Sequence, residues 1–111
     1  MVPEDNYPFS DDGFVFPNSS NCYLAEENLR ELYDRAEKTG YSYSLLLRHS
    51  VNEIYARNGY RFKNQELDEF YSKYQWYNDL SKVVEVSWKK MNNYEQKNLT
   101  LLLNEEQKWI H

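Results

Sequence analysis

Glu53 and Arg57 stand four residues apart, with Asn52 and Tyr55 between and beside them, and Glu95 and Asn98 form a second polar pair further on. An acid four residues before a base lies on the same face of a helix, in the favourable order. Such a set allows two kinds of chemistry. Glu53 or Glu95 as acid/base, with Arg57 orienting a substrate, is the minimum for a small hydrolase, provided two carboxylates face one cleft roughly 5–10 Å apart. Alternatively the same groups are a structural polar network of Asn52, Glu53, Tyr55, Arg57, Gly59, Glu95 and Asn98. A partly buried arginine needs carboxylate or carbonyl partners, and losing one costs ~3–5 kcal/mol. Glu95 or Asn98 of the last helix are the partners expected. Buried ion networks are more often structural than catalytic, so no catalytic residue is assigned.

Aromatic residues follow directly. Tyr60, Phe62, Trp76 and Tyr77 are candidates for a binding surface, since aromatics with a few polar groups suit a sugar or peptide site. Eleven tyrosines are compatible with half-exposed packing or with an adhesive face. The only imidazoles are His49 and His111. They lack a second histidine at ligand spacing and read as two solvated residues. Ser50 beside His49 is no triad, because neighbours on a helix point apart. Cys22 is the single cysteine, which excludes an internal disulfide and a cysteine zinc site. No metal and no cofactor are expected. Asn18-Ser-Ser and Asn98-Leu-Thr match glycosylation sequons, the second inside an expected helix.

The elements that position these residues follow from periodicity. Residues 1–22 are acidic and turn-rich and predict an irregular arm, tacked down by Phe14 and Phe16 around a short extended piece. Leu29, Leu32, Tyr33 and Ala36 predict a helix over 25–38. Residues 42–58 predict a second helix, apolar on several sides and therefore central. Asn58-Gly59 is its stop, and Tyr55 and Tyr60 should touch across it. A hairpin at Asn-Gly is the lesser alternative, because the upstream helical stripe is long. Leu67, Phe70, Tyr71 and Tyr74 predict a third helix over 64–76, capped by Asn64. Asn92 and Glu95 have capping-box spacing at the start of a helix running to 109. Residues 79–91 are ambiguous between strand and a slightly preferred short helix. The fold class is all-α, a small single domain of about four helices, with the helical domain spanning 23–111.

With 111 residues the chain suits one domain. Its net charge of −5, with no clustered basic patch, argues against nucleic acid as partner. No run is long enough to span a bilayer. Met1-Val-Pro-Glu-Asp-Asn lacks a cationic, apolar leader, so the protein is either cytoplasmic or exported with its signal absent from these residues.

Asn52-Glu-Ile-Tyr-Ala-Arg-Asn-Gly-Tyr-Arg-Phe62 resembles the signature of the YARHG domain. The similarity continues in register through Phe62-Lys-Asn-Gln-Glu-Leu67, Trp76-Tyr77 and Asn92-Asn-Tyr-Glu-Gln-Lys-Asn98, and upstream through Phe16-Pro-Asn-Ser-Ser-Asn-Cys-Tyr-Leu24. Two positions depart from the pattern: Asn58 stands where the motif has His, and Ala25 where a Thr cap is usual. An amide does not titrate, so proton chemistry at position 58 is excluded. The resemblance implies a bacterial module of exported or lipoprotein-type envelope proteins, extracytoplasmic or secreted, and implies no reaction. The expectation is a non-catalytic binding or accessory module meeting a protein or cell-wall glycan. A small cell-wall hydrolase and a module whose groove takes a partner helix are the alternatives.

Overall fold

The computed structural model describes residues 8–109; Met1–Tyr7, Ile110 and His111 lie outside them. Among the described residues there are five α-helices: α1 (Glu26–Thr39), α2 (Tyr43–Arg57), α3 (Gln65–Ser72), α4 (Gln75–Asn78) and α5 (Asn93–Trp109). Four match the expected helices within a residue or two at their starts, and the fold is all-α.

α2 is the central rod. Leu46, Leu47, Val51, Ile54 and Ala56 are all buried, and α1 and α5 pack on it through Leu29, Leu32, Ala36, Leu99 and Leu102. Ser42 caps its start, accepting from the Leu45 N–H at 3.4 Å. At its end the Tyr60 N–H donates to Tyr55 O (3.1 Å) and the Gly59 N–H to Ala56 O (3.0 Å). This paired closure is the Schellman motif. It requires a left-handed residue after the cap, and Gly59 supplies φ 81°. The expected Tyr55–Tyr60 contact forms edge-to-face at 6.0 Å.

The capping box of α5 is reciprocal: the Glu95 N–H donates to Asn92 Oδ1 (2.8 Å) and the Asn92 N–H to Glu95 Oε1 (3.0 Å). α1 has no side-chain cap at Ala25. Asn28 Oδ1 accepts the Ala25 N–H at 2.8 Å, which anchors the first turn from within.

Two expectations are corrected. The third helix does not run to 76. It stops at Ser72, and Tyr74 is extended before α4. The break lets Tyr77 turn inward onto Phe62 and Tyr71, with its hydroxyl donating to Tyr60 O at 2.6 Å. Asn78 Nδ2 caps the freed Ser72 carbonyl at 2.8 Å. Residues 79–91 are not the preferred short helix. They contain only a 3-10 turn, Trp88–Lys90, and a single parallel bridge from Val83 to Tyr60. Tyr33, expected on the apolar stripe of the first helix, is 40% exposed.

Gly59 is under a second constraint. A Cβ there would lie 2.5 Å from the Ser81 carbonyl oxygen, whereas Gly40, also at positive φ, faces open space. Left-handed strain alone costs about 1–2 kcal/mol. Gly59→Ala is therefore expected to lose more stability than Gly40→Ala in urea unfolding, the difference measuring the Ser81 clash.

Candidate functional site

The polar residues of α2 divide between two faces. Glu53 and Arg57 face the N-terminal arm. Asn52 and Tyr55 face the other way, into a groove.

On the arm side, Glu53 is wholly buried. Its Oε1 accepts the Val15 N–H at 2.6 Å and its Oε2 the Phe16 N–H at 2.8 Å. Two successive backbone donors are thereby satisfied by one carboxyl. Arg57, its side chain 14% exposed, lies 3.3 Å from Glu53 Oε2. Its Nη2 also donates to Phe16 O (2.9 Å), and its Nη1 to Ser19 Oγ (2.6 Å) and Ser20 Oγ (3.0 Å). The guanidinium carbon sits 4.2 Å from the Phe14 ring centre, a cation–π contact.

Glu95 and Asn98 of α5 complete the fastening. Ser20 Oγ donates to Glu95 Oε2 at 2.8 Å, and Asn58 Nδ2 reaches the same oxygen at 3.2 Å. Asn98 is fully buried. It accepts from the Leu24 N–H and donates to Ser19 O and Cys22 O, each at 2.8 Å. Such a side chain cannot carry a glycan in the folded chain, and Cys22 is exposed. Glu95 or Asn98 was expected to partner Arg57 directly. Instead the Arg57 bonds go to Glu53 and to the arm, and Arg57 reaches Glu95 through Ser20. Asn58, in the place of the motif's histidine, bridges the last turn of α2 (Ile54 O, 2.8 Å) to Glu95.

Several of these participants carried no sequence signal of their own. Ser19 and Ser20 are ordinary turn residues. Arg35 of α1 donates to Val15 O (2.9 Å) and Pro8 O (3.2 Å) and was not singled out. A buried acid on α5, Glu106, pairs with Arg48; its position in the fourth turn of an apolar stripe was the available signal.

Glu53 and Glu95 face inward, each engaged by structural donors, and neither lines the groove or the two smaller clefts.

The groove has a volume of about 880 Å³, within the usual range for ligand sites. Its α2 wall carries Leu45, Asn52 and Tyr55, its α3 wall Leu67 and Phe70, and its third wall Val84 and Val86. Asn52 is corrected from network to groove. It is 8% exposed, yet its amide has no hydrogen-bond partner among the described residues. His49 is not solvated as expected. Its ring lies between Phe9 (5.0 Å) and Phe70 (5.4 Å), it lines the groove, and its Nδ1 is buried without a partner. Burial holds this imidazole below its ordinary pKa, so it is neutral near pH 7.

The four aromatics proposed as a binding surface separate. Tyr60 and Phe62 line the groove, although Phe62 is only 7% exposed and stacks on Tyr71. Tyr77, 1% exposed, is core. Trp76 belongs to the arm: its Nε1 donates to Asp12 O at 3.0 Å, and its ring meets Phe14 at 4.8 Å.

A helical module whose signature residues pin an N-terminal arm and leave one groove open is the class that fold and site define. The YARHG domain profile matches residues 21–107, and the chain belongs to that family. Neither the curated proteins nor the solved structures compared with the chain include a match.

Breaking a buried charge pair from one side is expensive. Arg57→Ala is expected to cost ~3–5 kcal/mol and to speed amide hydrogen exchange at Val15 and Phe16; a variant as stable as the parent counts against the strut. Glu53 also sets a pH signature. Complete burial pushes its carboxyl up to about 7, against the lowering by Arg57, the Val15 and Phe16 N–H groups and Arg35. An unfolded glutamate titrates near ~4.3, so the folded chain binds this proton more tightly. The contribution is fully present below the unfolded value and is lost as pH rises toward 7. The stability margin of the parent over Glu53→Gln should therefore shrink between pH 4.5 and 7.5 in denaturant titrations. A margin that grows with pH contradicts this assignment.

Proposed function

We propose that the chain is a non-catalytic binding module of an exported bacterial cell-envelope protein, and that the groove beside α2 receives a protein partner. The observation that carries this reading is Asn52. Its side-chain amide bonds nothing among the described residues and opens to the groove, so its donors and its acceptor are available to a ligand. The location rests on the family. No helix among the described residues is long and apolar enough to cross a membrane.

A second reading, contact with a wall glycan, draws on an exposed aromatic cluster away from the groove. Tyr23 and Tyr94 lie 4.6 Å apart, and Trp88, which lines a shallow cleft with Tyr23, is 49% exposed. Open aromatic faces of this kind suit the apolar faces of sugars.

The two readings predict different responses. Asn52→Leu should leave the unfolding free energy within about 0.5 kcal/mol of the parent's, because no protein hydrogen bond is lost. Titrating capped peptides and peptidoglycan fragments by NMR should then show ligands that perturb the Asn52 side-chain amide in the parent and bind more weakly to the variant. An Asn52→Leu chain less stable than that, or ligands perturbing only Tyr23, Trp88 and Tyr94, would sink the groove reading.

A further inference from the structure

The third wall of the groove is unusual. Val83 makes both backbone bonds of the parallel bridge, donating to Gly59 O and accepting from the Arg61 N–H, each at 2.9 Å. The chain then runs on in a non-helical course, and the backbone groups of Val84, Glu85 and Val86 find no hydrogen-bond partner among the described residues. Val84 is 74% exposed. Val84 lies at a bend and the segment forms no ladder of its own, so its backbone groups stay open to pair with another extended chain.

Across the groove stands the Asn52 amide. It offers one acceptor and two donors, the complement of the N–H and C=O of one peptide residue. Between the edge and the amide, Leu67 and Phe70 supply an apolar floor. The charged lining residues are Arg48, Lys63, Glu66 and Glu85, two of each sign. The complement of such a lining is an uncharged stretch.

Resting on the groove reading above, we propose that the ligand is an extended, uncharged peptide segment of a partner protein. It pairs its backbone with the Val84–Val86 edge on one side and with the Asn52 amide on the other, and seats an apolar side chain against Leu67 and Phe70. A helical ligand would satisfy its own backbone and leave both the edge and the amide unused. The aliphatic part of the lining, Leu45, Val51, Leu67, Val84, Val86 and Leu103, suits an apolar side chain better than the hydroxyls of a sugar.

The test pans a random heptapeptide library against the whole chain. Capped synthetic peptides from the selection, and an N-acetylglucosamine tetrasaccharide as glycan probe, are then titrated by NMR. The expected peptides shift the Val84–Val86 amides and the Asn52 side chain together. N-methylation at alternate peptide residues should weaken binding by up to about tenfold for each backbone bond removed. Val84→Pro should weaken it similarly. That substitution removes an N–H that bonds nothing in the protein, and it favours the extended conformation at Val83, so the melting temperature should hold. Peptides that tolerate N-methylation at every position, or that bind as helices by circular dichroism, overturn the proposal. A tetrasaccharide that shifts the groove when no selected peptide does overturns the peptide assignment and leaves the groove standing. If neither probe moves a groove resonance, both readings fall.

Discussion

One buried carboxyl holds the two successive N–H groups of Val15 and Phe16, and the placement of the arm depends on it. Those amides belong to a segment without helix or ladder, so nothing in regular secondary structure would satisfy them. Glu53 does so from the middle of α2, and Arg57, one turn on, takes the opposite polarity: the Phe16 carbonyl and two serine hydroxyls. Donors and acceptors of one irregular strand are thus read by an acid and a base at helical spacing. With its backbone satisfied, the arm can bury Val15 and Phe16 in the main core. An ion pair of this kind gains little over a well-packed apolar pair. Its effect is to specify one path for a chain segment that would otherwise have many.

The same helix works in two directions. Positions 53 and 57 look to the arm, while 45, 52 and 55 look to the groove, as a period of 3.6 residues demands. Fastening the arm with Glu53, Arg57, Glu95 and Asn98 immobilises α2 against α5. That rigidity is what a groove on the opposite face requires, because a site on a firmly held helix keeps its geometry better than one on loops. The Schellman closure at Gly59 serves both sides. It ends α2 and delivers Tyr60 to the groove and to the bridge with Val83.

The helices were legible because their signals are local. Apolar spacing placed α1, α2 and α5, Asn-Gly marked the end of α2, and Asn92 with Glu95 announced a real capping box. The burial of Arg57 followed from its place on a helix apolar on several sides. Its partners did not follow, because they are backbone groups and serines of the arm, and side-chain patterns do not reveal which carbonyls lie nearby. The split of α3 and α4 was hidden for a similar reason. Tyr74, Trp76 and Tyr77 continue a helical stripe, and only the tertiary demand to bury Tyr77 against Phe62 breaks it. Asn52 was grouped with Glu53 because it sits beside it in sequence; one residue is 100° of helix rotation, enough to put the two on different faces.

The central claim is that Arg57 acts through the arm. A double-mutant cycle tests it most directly, combining Arg57→Ala with the paired Ser19→Ala and Ser20→Ala changes and measuring unfolding free energies of all four chains. Groups in one hydrogen-bonded network couple by about 0.5–3 kcal/mol. The account predicts coupling in that range, with the serine changes costing less once the guanidinium is gone. Costs that simply add, to within about 0.3–0.5 kcal/mol, would contradict it.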